Sequence, residues 1–430
     1  MTDCTIRAVH AREILDSRGR PTVEVDVNLA GGAAGRASVP SGASTGASEA
    51  HELRDGDPTR YAGLGVRRAV HNVNGEIATA LHGFDASNQR RLDQTLRELD
   101  GTPQLHRLGA NATLAVSLAA CRAIAAACET PLYERIGVLA QARPLLPLPM
   151  TNILSGGLHA GRSMDVQDFL AVPMRAASIA DAIEVVARVR SAAADVMHAR
   201  GMSTLLADEG GLSPGCERGR AALELMTEAI ERSGLRPGED VAIAIDVAAG
   251  TLIDAGSGYR LAREGRVLSS GEMIDMIAAW VDAFPVVSVE DALGDEDWEG
   301  WRQLTSRLGK QLQLVGDDLF ATNPQRVARG IRDRVGNAVL VKANQNGTLT
   351  GALDVIAQAK AAGYATIVSA RSGETEDAFM SDLAVGAGVG QIKIGSLRTS
   401  NAVSKYNQLL RIEESSRAPY AGAGALSKRE

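Results

Sequence analysis

Apolar and polar positions follow two different rhythms along this chain. Near the start, "PTVEVDVNLAG" (21–31) alternates with period two, the pattern of a strand with one buried face. The next stretch, "GGAAGRASVPSGASTGASEA" (31–50), is so rich in Gly, Ser and Ala that it reads as a mobile loop. From about 62 to 136 the spacing turns helical, with alanine surfaces in "YAGLGVRRAVHNVNGEIATALHG" and "GANATLAVSLAACRAIAAACE". The first third, residues 1–136, is therefore expected to be a small α+β domain. Pro144, Pro147 and Pro149 mark its boundary with residues 137–430, because proline fixes φ and removes a backbone donor.

Beyond residue 150 short apolar runs alternate with helices of ten or more residues. The runs are "VAIAID" (241–246), "FPVVSVE" (284–290), "LQLVG" (312–316), "NAVLVK" (337–342), "YATIVS" (364–369) and "GQIKIG" (390–395). Between them lie helical patterns such as "GEMIDMIAAWVDA", "PQRVARGIRD" and "LTGALDVIAQAKAAG". Strand–helix alternation on this scale predicts parallel strands, and six or more such units favour a closed (β/α) barrel over an open sheet.

A chain of 430 residues is consistent with two domains. No apolar run reaches the roughly 20 residues of a membrane span, and the charged first residues contain no apolar signal core, so the expected location is cytoplasmic. The net charge of −7 comes from interleaved acids and bases. That leaves no basic face for nucleic acid and no polybasic membrane anchor, so the expected partner is a small molecule. Cys4, Cys121, Cys128 and Cys216 have no zinc-ligand spacing and are expected to be reduced, structural thiols.

The chemistry emerges at the ends of the apolar runs. "LVGDDLF" (314–320) closes on Asp317 and Asp318, whose burial would be costly without compensation, although one such doublet alone reads as a turn or a helix cap. It is not alone. "VAIAID" ends at Asp246, "FPVVSVE" at Glu290 and "NAVLVK" at Lys342; "YATIVS" is followed by Arg371 and Ser372, and Lys393 lies within "GQIKIG". In a (β/α) barrel these ends share one mouth. Three converging carboxylates call for a cation, and oxygen-only ligands suit Mg²⁺. Beside it, Lys342 and Lys393 are expected to have depressed pKa values, as a lysine base requires. Arg371 offers a planar fork to a carboxylate or phosphate. Ordinary barrel-mouth salt bridges are the competing reading, and the number of ionisable strand ends weighs against it. Upstream, "LLADEGG" (205–211) offers Asp208 and Glu209 as an acid opposite the base, while "SGGLHAG" (155–161) puts His159 on a flexible loop.

Taken together, "REILDSRGRPTVE", "PSGASTG", "GANATLAVSLA", "ADEGG", "SVED", "VGDDLF", "VKANQNGTLT", "RSGETED", "GQIKIG" and "KYNQLLRIEE" resemble segments of the enolase family, in order and over essentially the whole chain. The resemblance implies an N-terminal α+β domain on a modified eight-stranded (β/α) barrel, a homodimer or higher homo-oligomer, and two Mg²⁺ ions. It implies that Asp246, Glu290 and Asp317 hold the first ion and that the chain at Ser41 brings the second. Lys342 would remove the C2 proton of 2-phosphoglycerate and Glu209 would protonate the leaving hydroxyl. Lys393 would neutralise the substrate carboxylate, Arg371 and Ser372 would hold the phosphate, and His159 and Asp168 would contact substrate. Some positions depart from the family: Ala370 replaces a histidine, Asp168 a glutamate and Arg20 an asparagine, with further changes at Ser155, Leu158, Ala343 and Asn346. Because base and metal ligands persist while the pocket changes, a specialised paralogue is expected, such as one forming carboxyphosphonoenolpyruvate in phosphonate biosynthesis. The alternatives are a housekeeping phosphopyruvate hydratase and a non-catalytic binding scaffold.

Overall fold

The computed structural model describes residues 3–42, 46, 48–254, 256 and 258–426. The period-two segment forms the centre of an antiparallel sheet made of β1 (Ile6–Leu15), β2 (Pro21–Leu29) and β3 (Ala34–Ser38). Val23, Val25, Val27 and Leu29 of β2 are fully buried, as the alternation requires. Strand β3 lies inside the stretch expected to be loop; the expectation for Ala43, Ser44, Thr45 and Ala47 falls outside the described residues.

The helix Ala110–Ala127 covers this sheet. The approach is so close that a Cβ added at Gly35 of β3 would run into Ala119 O and the Ala123 nitrogen, which explains the alanine-rich surface. By length and composition this 18-residue helix could cross a membrane, yet 83% of it is buried inside the protein. Its hydropathy is that of a core element.

The second unit is a closed barrel of β4 (Leu148–Ser155), β5 (Asp168–Pro173), β6 (Val241–Asp246), β10 (Val286–Glu290), β11 (Gln313–Gly316), β12 (Ala338–Val341), β13 (Ala365–Ser369) and β14 (Gly390–Gly395). Strands β7 (Ile253–Asp254), β8 (Gly258–Leu261) and β9 (Arg266–Leu268) make a small separate sheet. The expectation of an all-parallel barrel needs one correction: β5 runs antiparallel to both β4 and β6. The connection 156–167 holds one 3₁₀ turn, Gly157–Ala160, rather than the helix of a parallel crossover. Two helices, Ile179–Ala199 and Gly219–Arg232, then precede β6. Reversal places Asp168, the first residue of β5, opposite Asp246, the last of β6.

Inside the barrel, Leu148, Met150, Leu170, Val172, Ala242, Ala244, Val315, Ala338, Leu340 and Ile367 form their own apolar cluster. The side-chain amides of Gln313 and Gln391 exchange two hydrogen bonds of 2.9 Å across it.

The N-terminal unit is tied to the barrel by polar contacts. Arg122 forks onto Asp377 through two 2.6 Å bonds, Asp93 accepts from the backbone and hydroxyl of Thr350 at 2.9 and 2.8 Å, and Ser41 and Gly373 exchange backbone bonds of 2.8 and 3.1 Å.

Candidate active site

Strands β6 and β10 end on Asp246 and Glu290, Asp317 follows β11, Lys342 follows β12, and Lys393 projects from β14. The mouth of the barrel thus gathers every strand-end group that the sequence nominated. Lys393 Nζ donates to Asp246 Oδ2 at 2.9 Å and to Glu290 Oε1 and Oε2 at 2.9 and 2.7 Å. Lys342 Nζ pairs with Asp317 Oδ2, whose other oxygen accepts from Gln345 Nε2 at 3.1 Å. Gln167 Nε2 reaches Asp246 Oδ2 at 3.1 Å.

Both lysines titrate above the ordinary lysine value, Lys393 well above, in contrast to the expected depression. Burial alone would lower them, but Asp317 at Lys342, and Asp246 with Glu290 at Lys393, outweigh it. In this arrangement the lysines are themselves the counter-charges of the acids. They are too few. Burial, reinforced by neighbouring carboxylates, pushes Glu290 and Asp291 well above the usual range and Asp318 up to about 7. Five acids (Asp246, Glu290, Asp291, Asp317, Asp318) crowd around Lys342, Lys393 and, at Asp317 and Asp318, Arg371; the raised values of Glu290, Asp291 and Asp318 mark these cations as insufficient, and an oxygen-only donor set suits a hard divalent cation such as Mg²⁺.

Asp291 escaped the sequence reading. Its carboxylate accepts the backbone N–H groups of Asp317 at 3.0 Å and Asp318 at 2.8 Å, and so shapes the turn that presents Asp317. The signal was present in "ED" at 290–291, an acidic doublet ending a strand just as "DD" does.

A second group at the mouth is His159, Asp168 and Glu209. Asp168 is fully buried; Ser155 Oγ donates to its Oδ1, and its Oδ2 lies 3.3 Å from His159 Nδ1. Glu209 Oε1 is 3.8 Å from the same nitrogen, and Glu209 Oε2 accepts from Asn152 Nδ2 at 3.1 Å. His159 is therefore not a solvated loop histidine. Burial opposes its charge, but Glu209 and Asp168 push its pKa up to about 9. Glu209 itself is shifted upward by burial. Asp208 is exposed, which leaves Glu209 as the acid of that pair facing the cluster.

Arg371 and Ser372, which follow β13, form a third group. Arg371 is nearly fully buried, and its Nη1 donates to Glu49 Oε2 at 2.9 Å and Asn344 Oδ1 at 3.3 Å; Ser372 Oγ accepts from Arg18 Nη1 at 3.2 Å. The hydroxyl of Ser41, expected to lie at a metal, donates from Oγ to Asp16 Oδ2 at 3.1 Å and accepts from Arg18 Nη2 at 2.9 Å. Among the described residues, these bonds hold Ser41 on the Arg371–Ser372 side, because its backbone is bridged to Gly373. One cleft joins the three groups, lined among others by His159, Glu209, Asp246, Asp317, Lys342, Ala370, Arg371, Ser372 and Lys393.

Such a cleft can hold an anion against Arg371 while two lysines and an acid face its centre. The chain matches the family description "Enolase, N-terminal domain" over residues 6–136 and "Enolase, C-terminal TIM barrel domain" over residues 143–429. With both domains matched in order along the sequence, on a barrel whose mouth carries this constellation, the chain belongs to the enolase family and is an enzyme of that superfamily.

Proposed function

We propose that this protein removes the proton α to the carboxylate of a 2-phosphoglycerate-type substrate, with Lys342 as base, to form an enolpyruvate product. The observation that supports the reading is that Lys342 and Glu209 line one cleft, the lysine paired with Asp317 and the acid, raised in pKa by burial, beside His159. Asp246, Glu290 and Asp317 would hold Mg²⁺, which when bound supplies positive charge where the substrate carboxylate gains negative charge. Lys342 Nζ would take the proton as its neutral amine, a form that a cation held by Asp317 would favour by offsetting the carboxylate that stabilises the ammonium. Glu209 hands a proton to the departing oxygen, a role that suits a buried carboxyl. Lys393 faces the substrate carboxylate, and Arg371 with Ser372 holds the phosphoryl group.

Lys342→Ala is expected to abolish exchange of the substrate's α proton with solvent deuterium, followed by NMR in the presence of Mg²⁺. Undiminished exchange overturns the assignment.

The substrate is proposed to be bulkier than that of a glycolytic enolase. Ala370 puts a methyl where the family has an imidazole, and Asp168 is one methylene short and drawn back by Ser155. Both enlarge the corner beside the leaving group, which suits a phosphonyl-bearing substrate and a specialised role. Formation of phosphoenolpyruvate from 2-phosphoglycerate at rates of about ten to a hundred per second, ordinary for an efficient enzyme, would instead make it a housekeeping hydratase.

A further inference from the structure

Arg371 is gripped by a residue that the proposed chemistry does not use. Glu49, from the N-terminal unit, places Oε2 at 2.9 Å from Arg371 Nη1 and Oε1 at 3.5 Å from Nη2, and both side chains are about 95% buried. Arg371 lines the catalytic cleft, whereas Glu49 lines a neighbouring cavity, so the carboxylate holds the guanidinium from outside the cleft. The same Oε1 accepts the backbone N–H of Gly46 at 3.0 Å and lies 3.5 Å from Gln345 Nε2. Gln345 in turn donates to Asp317 Oδ1, and its carbonyl oxygen accepts the N–H of Ala50 at 2.8 Å. One carboxylate therefore touches the arginine that lines the cleft, the amide beside a proposed metal ligand, and the backbone of Gly46.

We propose that Glu49 is a positioning residue that sets Arg371 for a phosphoryl group. A guanidinium recognises phosphate through a planar fork, and its value depends on holding that plane, which a long flexible side chain does not do unaided. Glu49 meets both terminal nitrogens of the guanidinium and so fixes the plane in which Arg371 lines the cleft. This rests on the reading of Arg371 as the phosphate group's partner.

Electrostatics and positioning predict opposite signs for Glu49→Gln. Removing a negative charge next to Arg371 strengthens anion binding if the carboxylate acts only through its field. Loosening the guanidinium weakens it if the carboxylate acts by holding it. The experiment measures Kd for inorganic phosphate by calorimetry with Mg²⁺ present, and KM and kcat for α-proton exchange with 2-phosphoglycerate. The unaltered protein is compared with Glu49→Gln, Glu49→Asp, Arg371→Lys and the double variant Glu49→Gln/Arg371→Lys. Expected for Glu49→Gln is a rise in phosphate Kd and in KM of about tenfold or more, with kcat falling less than about threefold. Glu49→Asp, which keeps the charge with a shorter reach, should recover part of the loss. In the Arg371→Lys background Glu49→Gln should add little, since there is no fork left to hold. Phosphate binding that is unchanged or tighter in Glu49→Gln overturns the proposal, as does full additivity in the double variant or absence of Arg371-dependent phosphate binding in the unaltered protein. Should phosphate bind while 2-phosphoglycerate undergoes no exchange, the substrate reading fails and the phosphate arm still decides Glu49. If Glu49→Gln does not fold, a phosphate affinity in Glu49→Asp equal to that of the unaltered protein overturns the proposal.

Discussion

Asp382 isolates what burial does to an acid outside the catalytic cleft. It is 4% exposed, accepts two bonds from Gln408 Nε2 at 3.1 and 3.3 Å, and burial pushes its pKa up to about 6 despite the pull of Arg122. The folded state therefore holds this proton more tightly than the unfolded chain, whose value is 3.8. Stability from this group is present below pH 3.8 and is lost as pH rises through about 6. The loss is at most about 3 kcal/mol, since each pKa unit corresponds to about 1.4 kcal/mol. Asp382→Asn removes the titration. The unfolding free energy of this variant minus that of the parent, from urea melts, should climb between pH 4 and pH 7; a difference flat across that window would contradict the account. At the barrel mouth the same desolvation acts on Glu290 and Asp291, and there several acids add to it where Asp382 has Asp377.

Among the elements, the Gln313–Gln391 pair ties β11 to β14 through the barrel interior, and each amide has a further partner, Ser288 Oγ at 3.0 Å and Ala425 O at 2.8 Å. Replacing Gln313 by leucine removes both bonds and takes from Gln391 Oε1 the donor it has here, and a buried acceptor that loses its donor costs about 1–3 kcal/mol. Gln313→Leu should lower the urea midpoint markedly, and the double replacement Gln313→Leu/Gln391→Leu should be less damaging than the sum of the single ones. Strict additivity would mean that the two amides do not depend on each other.

Strands β6 and β10–β14 were legible because each is a short apolar run with a polar residue within it, at its end or just past it; "VAIAID" and "GQIKIG" coincide with β6 and β14. The helix Ser270–Ala283 was legible too, helped by a capping box between Ser269 and Glu272. Strands β4 and β5 were not. Thr151, Asn152, Ser155 and Asp168 interrupt their apolar pattern, and nothing in a short run reveals that β5 is reversed. The same limit applied to the site. Asp246, Glu290, Lys342 and Lys393 announced themselves by terminating or interrupting strands, whereas Glu49 acts on a partner 322 positions away and looks like any surface glutamate in a polar segment.

For the whole molecule, the arrangement of charge argues that the barrel mouth is an electrostatic device built by both units. Arg18 reaches Ser372, Glu49 reaches Arg371, and Ser41 pairs with Gly373, so the anion corner is closed from the N-terminal side while the acids and lysines come from the barrel. The gathering of carboxylate oxygens at the mouth favours a divalent ion over a monovalent one. Titrating the protein with Mg²⁺ should raise its thermal midpoint, as expected for a ligand that binds only the folded state, and Asp317→Asn should abolish most of the rise.

The ties between Arg122 and Asp377, Asp93 and Thr350, and Ser41 and Gly373 make the peptide link between the two units redundant once they have met. Gln141 and Arg143, exposed in the connecting stretch, belong to none of these contacts. A protease site built there and cut after folding should leave a non-covalent complex of two fragments that co-elute and still turn over substrate. Mild urea would then dissociate them and silence the chemistry reversibly, so that catalytic output becomes a direct gauge of fragment association.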